Sequence, residues 1–371
     1  MENFSESLQA INEELACLGC GSLLKFKPGT THLVCDHCGS KNEIPFPQTN
    51  GNSLELDLEN FFSKKQVDLE KMETATVKCD GCGATTTLPP KVSSDKCPFC
   101  SQSLVIKSGN TSSLHKPQYL LPFMVENNQA LSFFKKWMNK LWFAPGDLKR
   151  YASQIENLKG MYLPYWTFDC QTQTSYRGQR GENYQETKTI TVMENGKNVN
   201  RTIHETKTRW YPAAGEVAVS FDDVLIAATP SLPKEKLQAL EPWDLTKLVA
   251  YDDRFLSGFI TETYSLPLKS AYEESKIRME PVILSQIRQD IGGDQQLIQY
   301  KSTTYHNPTF KHILLPVWIS SYRYNQKVYQ FLVNAQTGEV QGQRPYSVLK
   351  ITLTIFTALA VIVLLVLFLK N

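Results

Sequence analysis

The chain has 371 residues, 42% hydrophobic and 20% charged, which is more than one ordinary domain and enough apolar material for a sizeable core. Its formal charge of +2 does not mark a polyanion partner, and residues 1–110 hold ten Lys/Arg against fourteen Asp/Glu, the reverse of the basic face that nucleic-acid-binding modules present. No Gly-x-x-x-x-Gly-Lys-Ser/Thr, Gly-x-Gly-x-x-Gly, Gly-x-Ser-x-Gly or His-Glu-x-x-His occurs, so an ATP-driven motor and the common hydrolase sites find no support.

Residues 1–14 read as a short amphipathic helix with acids and no basic leader. Four Cys-x-x-Cys pairs follow: Cys17/Cys20, Cys35/Cys38, Cys79/Cys82 and Cys97/Cys100. Adding 62 to each number of the first two pairs gives the last two, so one unit is used twice. Two such turns facing each other close a tetrahedron of thiolates around a metal ion. The reading is two structural Zn2+ sites, with iron in a rubredoxin-like site as the lesser alternative. Gly21, Gly39 and Gly83 follow the second cysteine of a pair, where the returning backbone favours a positive φ, and Ser101 stands in the fourth position. Redox pairs need only one Cys-x-x-Cys, and disulfides need an oxidising compartment. With four cysteines in each set, His32 and His37 are surplus. Ribbon 1 with its N-terminal segment spans 1–45, a linker 46–74 and ribbon 2 75–110, and a short helix is expected within LELDLENFFSKKQVDLEKM.

Residues 116–260 and 261–346 are expected to form two related helix-plus-sheet modules. In the first, Asn127–Phe143 has apolar residues at spacings of three and four, a helix stopped by Pro145-Gly146. GMYLPYWTFDCQTQTSYRG reads as strand, with Cys170 as a half-buried strand residue. Two alternating runs between Glu186 and Tyr211 flank Asn195-Gly196, the strongest short hairpin signal. Asp222/Asp223 and Asp252/Asp253 are expected in turns or caps, because adjacent acids on a strand point to opposite faces. In the second module a helix over 268–290 is expected to be interrupted at Pro281 and ended by Gly292-Gly293, and His306 and His312 are too loosely spaced to make a metal site. Leu-Pro-x-Trp occurs at 163–166 and again at 315–318, and Leu-Pro precedes each helix at 121–122 and 266–267, which suggests the module repeat. The fold class is α+β, with antiparallel sheet dominant.

Ile351–Leu369 carries no charge and no proline. At about 1.5 Å per residue it spans roughly 28 Å, close to the hydrocarbon core of a bilayer. Residues 349–369 are therefore expected to be a single C-terminal transmembrane helix. Basic residues on its N-terminal flank and the thiols' need for a reducing compartment place the preceding domains in the cytoplasm.

The chain resembles a family of bacterial tail-anchored membrane proteins with tandem TFIIB-type zinc ribbons, often labelled primosomal replication-factor-Y-like helicases. Beyond the cysteines the resemblance rests on LPFMVENNQALSFFKKWM, GMYLPYWTFDC, SFDDVLIAA, LEPWDL, YDDRFLSGF and YQFLVNAQTGEVQG. It implies a non-enzymatic adaptor or scaffold at the cytoplasmic face of the membrane, with envelope stress as its setting and phage-shock-A-like or flotillin-like proteins as partners. Only the eight cysteines carry over as site residues. The readings set against it are a nucleic-acid-binding ribbon protein and an enzyme with a site near Asp222, Asp252 or His306.

Overall fold

The computed structural model describes residues 15–45, 53–63, 71–80, 85–87, 94–97, 99, 103–105, 110–148, 158–194, 197–325 and 327–370. The expected helix in 1–14 and the hairpin turn Asn195-Gly196 lie outside them.

The first unit is a small antiparallel sheet of β1 (Leu24–Phe26), β2 (His32–Cys35) and β3 (Lys41–Glu43). Strands this short cannot bury a core of their own. Leu24, Phe26, Leu33 and Ile44 instead enter a larger cluster with Phe123, Phe255 and Trp318. The Phe26 ring meets Phe255 edge-on at 5.1 Å. The Phe26 N–H donates to the Ser257 carbonyl at 3.0 Å, the Ser257 hydroxyl donates to the Leu24 carbonyl at 2.5 Å, and the Gly29 N–H donates to the Phe123 carbonyl at 2.8 Å. The unit is thus welded to the body.

β4 (Leu56–Asp57) and α1 (Leu58–Phe62), capped by Asp57, lie within the segment assigned to a linker. β4 pairs with the main sheet at Thr309 and Phe310, so this part of the connection belongs to the body. Next come β5 (Lys71–Lys78), β6 (Thr85–Thr87), β7 (Ser94–Lys96), β8 (Ser103–Val105) and β9 (Asn110–His115), in two small sheets.

The body is α+β around one nine-stranded, mostly antiparallel sheet. Its elements in order are β10 (Tyr119–Leu120), α2 (Asn127–Asn139), β11 (Lys159–Glu194), β12 (Lys197–Ala227), α3 (Lys234–Ala239), β13 (Val249–Ala250), β14 (Ile260–Thr261), α4 (Leu268–Ile291), β15 (Gln295–Tyr324), β16 (Lys327–Asn334) and β17 (Val340–Gly342). β11 and β12 pair from Tyr165–Ala227 out to Glu194–Lys197. The two arms of the expected hairpin are paired, and they are far longer than the alternating runs. The stretch 160–178, expected as a strand of its own, runs on without a break into the hairpin arm, and Gly178 and Gly181 lie inside that strand, where a Cβ would meet close neighbours. Past the Gly181–Gln295 pair β15 is absent, and the hairpin continues as a two-stranded arm.

Alternation puts Met161, Leu163 and Tyr165 in one cluster and Tyr162, Trp166 and Phe168 in clusters on the opposite face. α4 covers the second face with Ala271, Ser275, Met279, Ile283, Ile287 and Ile291, a stripe of spacing four. The helix is continuous through Pro281, in contrast to the expected interruption. Pro281 is on the exposed side, where water can satisfy the carbonyl that the missing N–H leaves unbonded. It ends at Gly292, φ +66°, as the sequence indicates.

The two Leu-Pro-x-Trp stretches pair with each other, Leu163 opposite Leu315. Around them the hydrogen bonds repeat. The Ala228 N–H donates to the Pro164 carbonyl at 2.9 Å, as Ala335 does to Pro316 at 3.0 Å. The Trp166 indole N–H donates to the Leu266 carbonyl (3.0 Å) just before α4, and that of Trp318 to the Val125 carbonyl (2.8 Å) just before α2. By this correspondence the chain before α4 matches Val125-Glu126. The Leu-Pro pair at 121–122 is therefore four residues out of step with that at 266–267.

α5 (Val348–Lys370) closes the chain. Its Val348–Leu369 stretch is long and apolar enough to cross a membrane, and none of it is buried.

Candidate metal centre

The knuckles of the first unit are built alike. The Gly21 N–H donates to the Cys17 carbonyl at 2.8 Å and the Gly39 N–H to the Cys35 carbonyl at 2.9 Å; the Cys17 N–H donates to Ser22 and that of Cys35 to Ser40, at 2.8 and 2.9 Å. Gly21 and Gly39 have φ of +73° and +74°. Each turn therefore aims two sulfurs inward, and the Sγ atoms of Cys17, Cys20, Cys35 and Cys38 all lie within 4.8 Å of one another. Cys17 and Cys38 are 3.5 Å apart, as are Cys20 and Cys35. A tetrahedron with Zn–S bonds of about 2.3 Å has edges of about 3.8 Å, so the donor set fits a closed four-thiolate site with little movement.

The surroundings favour thiolates. The Gly19 and Cys20 amides lower the Cys17 thiol, Ser22 lowers Cys20, and Ser40 lowers Cys38. At Cys35 the Cys38 amide pulls down, but burial and the neighbouring sulfurs carry the thiol up to about 11. A divalent ion would displace that last proton, which is why such sites bind metal more tightly as pH rises.

Of the second set, Cys79 and Cys97 are buried beside Phe99 in the cluster of Met161, Leu163 and Leu315. Cys82 and Cys100 lie outside the described residues. The first cysteine unit thus packs on one face of the main sheet, and Cys79, Cys97 and Phe99 pack on the other.

A second group of ionisable residues gave no sign in the sequence. Lys311 is 2% exposed, and its ammonium lies 2.9 Å from Glu55 Oε1 and 2.7 Å from Asp223 Oδ1. Thr309 donates to Glu55, and the Asp223 N–H donates to Asp169 Oδ1 at 2.7 Å. Glu55, Asp169 and Asp222 bring carboxylate oxygens within 4.8 Å of one another. The protein already supplies a cation there. Burial raises Asp169, and the neighbouring Glu55 raises it further. Burial also opposes charge on Glu55, but its hydrogen bonds from Asp169, Thr309 and Lys311 outweigh that and hold it down at about 2. These surroundings favour the protonated form of Asp169 and the charged form of Glu55. No local motif could have shown this, because its members come from four separate stretches of chain.

Asp223 occupies a turn-like backbone, φ +52°, beside the β-bulge at Phe168/Cys170. Asp252 accepts from the Arg254 N–H at 2.9 Å as a cap and pairs with the Arg254 guanidinium. His306 is exposed opposite Gln171, while His312 is buried with its ring 4.5 Å from that of Trp166, tilted by 30°. The two histidines are therefore on opposite faces of the sheet. Burial depresses His312 to about 3, so it remains neutral.

No family model matches the chain, and no solved structure matches it. It is similar to the uncharacterized protein YdjG of Bacillus subtilis (strain 168), 25% identical over 334 residues that cover 89% of each chain. That likeness brings no activity with it.

Proposed function

We propose that this protein is a non-enzymatic, zinc-stabilised adaptor anchored in the cytoplasmic membrane by α5, with its preceding domains in the cytoplasm. The observation that carries the reading is the closed four-cysteine centre fused to the same body from which the exposed apolar helix departs. Four thiolates leave no open coordination position for water or substrate, so the metal acts structurally. The second set, Cys79, Cys82, Cys97 and Cys100, is assigned a second Zn2+ on the matching spacing. The body is read as two related modules, supported by the repeated hydrogen bonds around Leu163 and Leu315.

The neck favours a membrane placement. The Ser347 N–H donates to the Phe143 carbonyl at 2.8 Å, and the Lys350 ammonium to the Ala144 carbonyl at 2.7 Å. Trp142 and Tyr346 are 77% and 57% exposed beside this point, the residue types that settle at a bilayer interface. For partner binding, the knuckle residue Leu18 is 93% exposed and Leu23 54%, an apolar surface next to the metal centre. The family resemblance points to phage-shock-A-like or flotillin-like proteins as the partners recruited.

The test is affinity purification of the full chain from solubilised membranes, with elemental analysis of the product. The reading expects a stoichiometric protein partner, lost in a Leu18→Asp/Leu23→Asp variant, and about two zinc per chain. Recovery of the chain alone in several mild detergents would sink the adaptor role, and a metal content near zero would sink the zinc assignment.

A further inference from the structure

The long hairpin has two faces of different chemistry. On the side continuous with α4's face, charges alternate: Lys188 pairs with Glu205 at 2.6 Å, and Glu186 pairs with Lys207. The opposite side, running from Gln171 to Met193 on β11 and from Asn198 to Ser220 on β12, is built of amides, hydroxyls and small residues. Its formally charged side chains are Arg177 and Glu216 alone. Among the described residues no element covers this face, and its positions are exposed along both strands apart from the half-buried Gln179 and Thr208 and from Gly181, which Trp210 overlies. Trp210 and Met193 add apolar surface to it, 40% and 76% exposed.

We infer that this bare face is the contact through which two copies of the chain pair, arm against arm, about a two-fold axis running along the strands between β11 and β12. Three features point to a second copy. First, the strip is about 75 Å long at 3.3–3.4 Å per residue and two to three strands wide, of the order of 800 Å². A stable pair of proteins buries about that much on each partner. A partner must offer an equally long and nearly uncharged face with the same right-handed twist, and a second copy of this chain has one. Second, the two charges are self-complementary. Arg177 lies opposite Ala214, and Glu216 lies opposite Ser175, one step along the neighbouring strand. The axis sets Arg177 of each copy in the strand column that holds Glu216 of the other, within reach of its side chain. Third, the axis keeps both bases together. Tyr322 and Tyr324, at the base, bond to Gln343 and Asp147 beside the neck of α5. Two chains in one bilayer require both helices at the same end. This third point rests on the membrane reading proposed above; the first two do not.

The charged face is excluded as the contact because α4 lies over its base and its ion pairs would have to be desolvated. The outer edge of β12 is protected by Lys207, Arg209 and Pro212, residues that block edge-to-edge pairing. Stacking through the uncharged face avoids both costs.

The axis predicts that Thr189 of one copy, opposite Thr202 in its own hairpin, sits over Thr202 of the other. The full-length chain, purified in detergent, is examined by light scattering with the detergent contribution subtracted. The wild type is expected at twice the 42.2 kDa chain mass. Thr189→Lys/Thr202→Lys places lysine over lysine and is expected at one chain mass, a loss of affinity of tenfold or more. Mixing the Lys/Lys variant with a Thr189→Glu/Thr202→Glu variant sets lysine over glutamate between copies while like charges stay opposite each other within each hairpin, and is expected to restore twice the chain mass, so unfolding of the arm cannot account for the difference. A monomeric wild type, a Lys/Lys variant that stays paired, or a mixture that stays at one chain mass would each overturn the inference. Whether the chain needs detergent for extraction is read separately and bears only on the membrane anchor.

Discussion

Leu163 and Leu315 lie directly opposite each other where β11 and β15 run antiparallel, each fully buried and each the first residue of a Leu-Pro-x-Trp stretch. Their surroundings match bond for bond, with Ala228 and Ala335 returning to Pro164 and Pro316. Leu163→Ala and Leu315→Ala should each cost about 2–5 kcal/mol and agree with each other to within about 1 kcal/mol. The double variant should deviate from additivity because the two side chains share one space. Denaturant titration followed by tryptophan fluorescence measures this, and a large asymmetry between the single variants would contradict a related environment.

The carboxylates around Lys311 make stability depend on pH in two directions. Asp169 is held above its ordinary value, so the folded state binds that proton more tightly than the unfolded chain does. Its contribution is complete below about pH 4 and is lost as pH rises through the raised folded value. Glu55 is held at about 2, so its contribution is present above its unfolded value and is lost as pH falls toward 2. Asp169→Asn imitates the protonated acid. Its thermal midpoint should fall less than that of wild type as pH is raised from 4, while the acid-side loss due to Glu55 remains.

Removing metal from the first centre should loosen the base of the body as well as the ribbon. Phe26, Leu24 and Leu33 have no separate core to retreat into, since they pack against Phe255 and Phe123. Cys17→Ser should lower bound zinc by about one per chain and speed amide exchange in residues 24–44 and also in 253–259. Faster exchange confined to 24–44 would show that the docking survives without the ion.

Gly178 sits at the bulge where β11 shifts register against β15, and a Cβ there would meet the Leu297 carbonyl oxygen at 2.1 Å. Backbone cannot move aside as a side chain can. Gly178→Ala should therefore cost about 1–3 kcal/mol, read as a lower denaturation midpoint. Gly146→Ala, with open space at that position, should change the midpoint by less than about 1 kcal/mol.

Several features were legible because their signal is local. Cysteine spacing, the hairpin strands on either side of Asn195-Gly196, the glycines that end α4 and the unbroken apolar run of α5 are each signals carried by one short stretch of chain. The sequence also exposed the Leu-Pro-x-Trp repeat, although the flanking Leu-Pro pairs belong to different registers. It hid the length of the hairpin arms, because the strand read at 160–178 and the alternating run from Glu186 are joined through Gly178 and Gly181, residues that weaken a strand pattern. It also misjudged Pro281, because exposure of one side of α4 is settled by what the other side packs against.

The amino-acid sequence by itself determined the donor chemistry of the four-cysteine centre and the presence of a helix apolar enough to cross a bilayer. Sulfur at fixed spacing on a tight turn and uncharged length along a helix are properties of short segments. Tertiary structure decided how those parts combine. It packed the first cysteine unit against Phe255 and Ser257 and drew Glu55 across to Lys311. It also left one face of the long arm without charge or cover. Each depends on contacts between segments far apart in the chain, which only the packing of the sheet brings together.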